Sequence, residues 1–106
     1  MAQDKVNRVE RIQAMEEALN VSRDAAEQFS EAVAAQVDAL DALRQLSMYY
    51  GSQDWYKDRE ADERGKLPED LERGVLGEDL PYEVLVSARE AALAALEVAT
   101  LVLRAL

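Results

Sequence analysis

The sequence predicts an all-α protein in which a long N-terminal helix and a long C-terminal helix form an antiparallel hairpin. All four glycines and both prolines lie between residues 51 and 81, so the flanking segments lack the two strongest helix breakers. Apolar residues recur at helical spacing before that stretch and dominate the chain after it. We expect a single domain over residues 1–106, because a chain of this length usually forms one compact unit.

The first helix is predicted from about Asp4 to Tyr49, a length of about 69 Å at 1.5 Å per residue. Steps of three and four residues trace a nearly heptad-spaced seam, in which eight of ten positions are apolar. Ser22 could cap a second helix, so a break at residues 20–23 is the alternative to one continuous helix. A seam this long and narrow requires a partner helix, since isolated helices are stabilised mostly by packing. The seam consists of Ile12, Met15, Leu19, Ser22, Ala26, Phe29, Val33, Gln36, Leu40 and Leu43.

Residues 50–79 are predicted to form a short helical and irregular segment that joins the two long helices. Gly51 is suited to end the first helix in a left-handed conformation. Ser52 is suited to cap a short helix that reaches about Arg64. We expect another turn or two of helix over residues 68–73, before the next glycine interrupts the chain.

The last helix is predicted over residues 80–105, with Asp79 as its cap and Pro81 in its first turn. Of the 16 residues from Ala91 to Leu106, 13 are apolar. A helix that is apolar nearly all round is buried nearly all round, and one neighbouring helix covers only one side of it. Charged residues follow one narrow stripe along this helix, at Glu83, Glu90, Glu97 and Arg104.

This apolar segment leads us to expect a two-fold homodimer with a four-helix core, in which the last helix and the seam form the interface. The alternative is a bent hairpin whose middle segment wraps the last helix within one chain. A bare surface of this extent would exceed the few hundred Å² of apolar patch that are usual for monomers.

Composition excludes several classes of function. The chain has no Cys and no His, which excludes disulfides, zinc–thiolate sites and His-based catalytic triads. It carries 12 basic and 22 acidic residues, a net charge of −10, which argues against nucleic acid as a partner. No Gly-rich phosphate loop and no GxSxG motif occurs. We therefore predict no enzymatic activity and no cofactor.

The sequence also predicts neither a membrane segment nor a secretory signal. Residues 1–13 are charged throughout, and Glu97 interrupts the most apolar stretch after six residues. The expected location is therefore the cytoplasm.

Four of the six aromatic residues lie within eight positions, at Tyr49, Tyr50, Trp55 and Tyr56. Around a helix–turn–helix corner these rings can stack on one another and close the end of a helical bundle. They could instead line a ligand pocket, where the tyrosine hydroxyls and the indole N–H would supply hydrogen bonds.

An acidic ladder follows the aromatic group, with Asp54, Asp58 and Asp62 four residues apart on one helix face. Interleaved basic residues should pair with these acids on a solvated helix. The alternative is a calcium-binding EF-hand loop, although Glu63 stands where such a loop requires glycine. The metal ligands in that alternative would be Asp58, Glu60, Asp62 and Glu69.

The run YYGS..W followed by D.E.DE.GKLP..L.RGVL, over Tyr49–Leu76, resembles a family of small bacterial proteins, domain of unknown function 4298. The resemblance extends over nearly the whole chain, and it implies an all-α fold and a bacterial origin without implying an activity. This chain has Gly77-Glu78-Asp79 where the family pattern has Ser-Glu-Asp, a difference that affects only the helix cap.

The sequence favours a self-associating protein–protein interaction module, with an unknown protein as a further partner. The first alternative is a small-ligand or divalent-cation binding module that uses residues 50–76. The second is a secreted helical hairpin similar to WXG-type substrates, although Trp55 is followed by Tyr56-Lys57 and not by x-Gly. The candidate binding residues are Tyr50, Trp55, Asp58, Glu60, Asp62, Lys66 and Arg73.

Overall fold

The computed structural model describes all residues, 1–106, and contains helices and turns but no strands. The prediction of an all-α protein with long first and last helices is therefore confirmed. The chain divides into two compact units, unit 1 (Met1–Leu40) and unit 2 (Asp41–Leu106). The single domain, the antiparallel packing of the long helices and the dimer stay predictions. The elements are α1 (Ala2–Tyr49), α2 (Gln53–Glu63), a 3₁₀ turn (Gly74–Leu76) and α3 (Asp79–Ala105).

Helix α1 starts at Ala2 and is uninterrupted to Tyr49, so Ser22 lies inside the helix and no break occurs there. The helix ends where Gly51 adopts a φ of 79°, the left-handed conformation predicted for it. Every residue of unit 1 is exposed. The six large apolar side chains of the seam in this unit are between 40% and 60% exposed: Ile12, Met15, Leu19, Phe29, Val33 and Leu40.

The side of α1 opposite the seam carries a second regular pattern, which we call the outer acidic stripe. Its members recur every seven residues and lie about 170° around the helix from the middle of the seam, given 3.6 residues per turn. From Glu10 to Leu40 the acidic stripe thus lies on the side of the helix away from the seam. The stripe consists of Glu10, Glu17, Asp24, Glu31 and Asp38.

Helix α2 has the expected cap at its start and a left-handed glycine at its end. The Ser52 Oγ accepts a hydrogen bond of 3.2 Å from the backbone N–H of Trp55, as an N-cap does. At the other end Gly65 has a φ of 69°, and the N–H of Lys66 donates to the carbonyl of Ala61 at 3.0 Å. This is the hydrogen-bond pattern of a Schellman motif.

The helix predicted over residues 68–73 is wrong. This stretch forms a single turn, in which the Leu71 N–H donates to the Pro68 carbonyl at 3.2 Å, and the next helical turn starts at Gly74. The Arg73 Nη2 also donates to the Pro68 carbonyl. An α-helix would require that carbonyl to accept from the N–H of Glu72, so the side chain of Arg73 competes with the helix.

Helix α3 begins at Asp79, so the prediction that Asp79 is its cap is wrong. Glu78 occupies the cap position, in an α-helical backbone conformation and without a side-chain capping hydrogen bond. Asp79 lies in the first turn, where its carboxylate is favoured by the helix dipole. Pro81 is buried in this turn, as expected of a proline at a helix start.

The C-terminal half of α3 is exposed over residues 91–106, apart from a half-buried Ala99. Leu96, Leu101 and Leu103 are 67%, 64% and 73% exposed. We call residues 91–106 the apolar tail. No helix of the chain combines the length and the apolar character that crossing a membrane requires.

Candidate functional site

The candidate site is a cluster of aromatic and charged side chains in unit 2, centred on Trp55. Gly51 turns the chain directly after α1, and the Ser52 cap then places Trp55 in the first turn of α2. The Trp55 side chain is only 3% exposed. Its ring meets Tyr50 edge-on, with centroids 4.9 Å apart, and Tyr56 edge-on, with centroids 5.0 Å apart. Such pairs contribute beyond the area that they bury.

The indole N–H of Trp55 is used inside the protein. It donates a hydrogen bond of 2.9 Å to the backbone carbonyl of Val75, in the 3₁₀ turn. The neighbouring Leu76 is the other buried apolar residue of this small core. Trp55 thus makes edge-on contacts with two of the three tyrosines predicted to stack around it, Tyr49 takes no part in them, and the closing of a bundle end stays a prediction. The indole donor is not left free for a ligand.

Arg59 and Glu78 complete the cluster, which we call the Trp55 cluster: Tyr50, Trp55, Tyr56, Arg59 and Glu78. The guanidinium carbon of Arg59 lies 4.6 Å from the centre of the Trp55 ring, within the range of a cation–π contact. Its Nη1 is also 3.1 Å from the Glu78 Oε1. The hydroxyl of Tyr50 donates to the backbone carbonyl of Glu78 at 3.1 Å. Glu78 therefore links the end of α1, the middle of α2 and the start of α3.

Asp62 and Arg73 form a second contact between α2 and the chain that follows it. The Arg73 Nε lies 3.0 Å from the Asp62 Oδ1, but its N–H is not aligned on that oxygen, so the contact is an ion pair and not a directed hydrogen bond. A shallow, open hollow of about 250 Å³ lies beside this pair. It is lined by Arg59, Asp62, Glu63, Arg73, Leu76 and Gly77.

Tyr49 and Asp58 form a contact between the last turn of α1 and α2. The Tyr49 hydroxyl donates to the Asp58 Oδ2 at 2.5 Å. Burial raises the pKa of Tyr49 to about 12, with smaller contributions from the hydrogen bond to Asp58 and from the negative charges of Asp58 and Asp54. The hydroxyl is therefore protonated at neutral pH and donates this hydrogen bond.

The structure brings together only part of the predicted binding residues. Tyr50 contacts Trp55, and Asp62 pairs with Arg73. Glu60 pairs with Arg64 one turn along the same exposed helix, and Asp58 accepts from Tyr49 as described. Lys66 is exposed and takes part in none of the ion pairs.

Sequence reasoning missed Arg59, Val75 and Glu78. Arg59 carried a usable signal, because it stands four residues after Trp55 and so shares its face of α2. Val75 and Glu78 contribute backbone carbonyls, and Glu78 also contributes its carboxylate. A carbonyl acceptor leaves no mark in the residue type, so these two positions could not be identified from the sequence.

The EF-hand alternative is wrong, because Asp58, Glu60 and Asp62 lie in α2 and not in a loop. A helix rotates successive odd positions by about 200°, so they cannot converge on one ion as they do in a calcium-binding loop. Glu69 lies in the exposed turn that follows Pro68. The structure contains no group of three or more Asp, Glu, His or Cys side chains that could hold a metal ion.

The geometry of the Trp55 cluster is that of a small core with a charged rim. Its aromatic rings are used for packing, and its one ion pair lies at the surface, where Arg59 and Glu78 are 25% and 68% exposed. No nucleophile with a neighbouring base is part of it. Such an arrangement can orient helices and present charge to another protein.

Comparison with known proteins identifies the family of this chain and nothing more specific. Comparison with curated proteins and with solved structures gives no significant match. The sequence profile of the family described as Domain of unknown function (DUF4298) matches residues 12–98, which include α2, the Trp55 cluster and most of both long helices. The chain therefore belongs to the DUF4298 family.

Proposed function

We propose that this protein is a self-associating protein–protein interaction module of the cytoplasm, without catalytic activity. The observation that carries the proposal is the exposure of two apolar surfaces on regular helices, the seam of α1 and the apolar tail of α3. Both surfaces consist of side chains that proteins normally bury against another helix.

The seam supports self-association through its regularity. Its apolar residues continue at heptad spacing across unit 1, while the outer acidic stripe occupies the opposite side. A helix with this division has one side for a partner and one side for water. Because isolated helices gain little stability from propensity alone, a partner along the seam would stabilise α1 itself.

The magnitudes indicate that the seam alone would make a weak dimer. Burying a half-exposed side chain of this size contributes about 1 kcal/mol, so six on each helix contribute about 12 kcal/mol to a pair. Association costs about 4–15 kcal/mol in lost freedom of motion. A stable dimer therefore requires a second contribution, which the apolar tail supplies in this proposal.

The apolar tail supports burial on more than one side. With 100° between successive residues, Leu93, Leu96 and Leu103 lie on one side of the charged stripe, and Val98 and Val102 lie on the other. Each of these five side chains is between 41% and 73% exposed. A four-helix core formed by two copies would cover both sides at once.

The acidic middle segment would then decide which other proteins bind. Residues 50–79 carry ten acidic and five basic residues, and the Trp55 cluster holds them on a packed scaffold. A surface of this sign attracts basic partners and repels acidic ones, which affects partner choice more than affinity.

Sedimentation equilibrium at micromolar to hundred-micromolar concentrations tests self-association. We expect a mass of twice 11.8 kDa that approaches the monomer only on dilution. A single 11.8 kDa species over the whole concentration range would contradict the proposal. A matched measurement with the seam variant described in the Discussion shows whether the seam is the surface that associates.

A further inference from the structure

We infer that the first helices of two copies pack antiparallel along the seam, with Met15 of one copy level with the partner's Leu40. The inference rests on the proposed self-association and adds its orientation and register. In this arrangement two residues of α1 that lie at the same level, one from each copy, have residue numbers that add up to 55. The partner in this inference is thus a second copy of this chain.

The register follows from the ends of the seam. Ile12 and Leu43 are its first and last members, so an antiparallel pair that sets Ile12 against the partner's Leu43 gives every seam residue a seam residue as neighbour. A shift by one heptad in one direction would bring Ile12 level with the partner's Tyr50, which already packs against Trp55 in its own chain. A shift by one heptad in the other direction would bring the apolar Leu43 level with the partner's charged Lys5. The pairs in the first register are Ile12 with Leu43, Met15 with Leu40, Leu19 with Gln36, Ser22 with Val33, and Ala26 with Phe29.

Side-chain size distinguishes the antiparallel pair from a parallel one. In the antiparallel pair the small Ala26 meets the partner's large Phe29, so neighbouring layers have similar volumes. In a parallel, in-register pair Phe29 would face the partner's Phe29, and Ala26 would face the partner's Ala26. An overfilled layer would then lie beside an underfilled one, and protein interiors tolerate neither.

Charge also favours the antiparallel orientation. Residues 1–15 carry Lys5, Arg8 and Arg11 against two acids, for a net charge of +1, whereas unit 2 carries eight basic and fourteen acidic residues, for −6. An antiparallel pair brings each basic end to the level where the partner's acidic unit 2 begins. A parallel pair would instead place two units of charge −6 at the same end, where they repel each other.

The acidic face of α2 provides the counterpart for this basic end. In the inferred register Lys5 is level with the partner's Tyr50, four residues before the partner's Asp54. Asp54 and Asp58 are both exposed, and neither takes part in an ion pair within its own chain. The basic end of one copy would therefore meet carboxylates of the other that have no cationic partner in their own chain.

Cysteine cross-linking tests the orientation cleanly, because the chain contains no cysteine of its own. The full-length variants Met15→Cys and Leu40→Cys are oxidised separately, and also after unfolding and refolding together. We expect a covalent dimer only from the mixture, since Met15 and the partner's Met15 would be about 37 Å apart along the axis. The control mixture is Asp24→Cys with Glu31→Cys, which are level with each other but on outward sides, and it should remain monomeric on a denaturing gel.

Every other outcome overturns the orientation. Covalent dimers from each single variant alone would show a parallel pair, and no covalent dimer from any sample would show a different interface. Sedimentation of the reduced variants separates these results from failure of the proposed function. A dimer that does not cross-link as expected refutes only the orientation, whereas a monomer refutes self-association and the orientation together.

Discussion

The indole N–H of Trp55 donates to the backbone carbonyl of Val75 at 2.9 Å, across 20 residues of sequence. This bond joins α2 to the 3₁₀ turn, and Trp55, which donates it, is only 3% exposed. Tyr50 and Arg59 then contact the same ring from the end of α1 and from the next turn of α2. The packing of unit 2 therefore centres on one residue.

The first prediction concerns this residue. Trp55→Phe should lower the free energy of unfolding by about 0.5–1.5 kcal/mol, since it removes the part-buried hydrogen bond to the Val75 carbonyl. Trp55→Ala should cost about 3–5 kcal/mol, because it also leaves a cavity. Urea unfolding followed by circular dichroism measures both. Tyr82→Phe, at a 58% exposed position, is the matched control and should change stability little. Equal values for all three variants would contradict the central role of Trp55.

The second prediction concerns Arg59 and Glu78. A double-mutant cycle with Arg59→Ala and Glu78→Ala should give a coupling energy of about 0.5–1 kcal/mol, because the ion pair is largely at the surface. Arg59→Ala alone should cost more than Glu78→Ala, since it also removes the contact with the Trp55 ring. A larger effect for Glu78→Ala would argue against that contact.

The third prediction concerns the glycines that end α1 and α2. Gly51→Ala and Gly65→Ala should each destabilise the protein by about 1–2 kcal/mol, because both positions have a positive φ and neither Cβ would meet another atom within 4 Å. Backbone strain is then the whole effect. Gly77→Ala is the control, since its φ is −71° and its Cβ would make an ordinary contact at 3.5 Å. Thermal melts that rank Gly77→Ala as the most harmful would contradict this account.

The fourth prediction concerns pH. The pKa of Tyr49 is raised from 10.0 to about 12, so the folded state retains its proton longer than the unfolded state does. The resulting contribution to stability is fully present below pH 10 and is lost as the pH rises from 10 towards 12. Absorbance titration of the phenolates should show one tyrosine that ionises late, and Tyr49→Phe should remove this phase. A late phase that persists in Tyr49→Phe would assign it to another residue.

The fifth prediction concerns the seam. The double variant Leu19→Asp with Val33→Asp should shift the sedimentation profile to the monomer, because it places four charges in the proposed interface of two copies. The control Glu17→Gln with Glu31→Gln changes the outer acidic stripe at neighbouring positions and should leave the dimer intact. If both double variants behave alike, the seam is not the associating surface.

The ends of α1 and α2 show how far local sequence signals carry. The left-handed Gly51 and the cap at Ser52 were both predicted, since these signals act within four residues of the chain. Their energies depend on backbone conformation and not on distant packing. The absence of a break at Ser22 has the same origin, because residues 1–50 contain neither glycine nor proline.

Contacts between distant residues decided the rest. Residues 68–73 form a turn because the Arg73 side chain contacts the Pro68 carbonyl and Asp62. Glu78 and not Asp79 occupies the cap position of α3, and Glu78 is held there by Tyr50 and Arg59. Which acceptor a long side chain finds depends on the path of the whole chain, so residue types alone do not specify it. The sequence by itself determined the helices and the cluster of aromatic residues, since both follow from neighbours a few positions apart. Only the tertiary structure decided which backbone carbonyls and which charges meet that cluster.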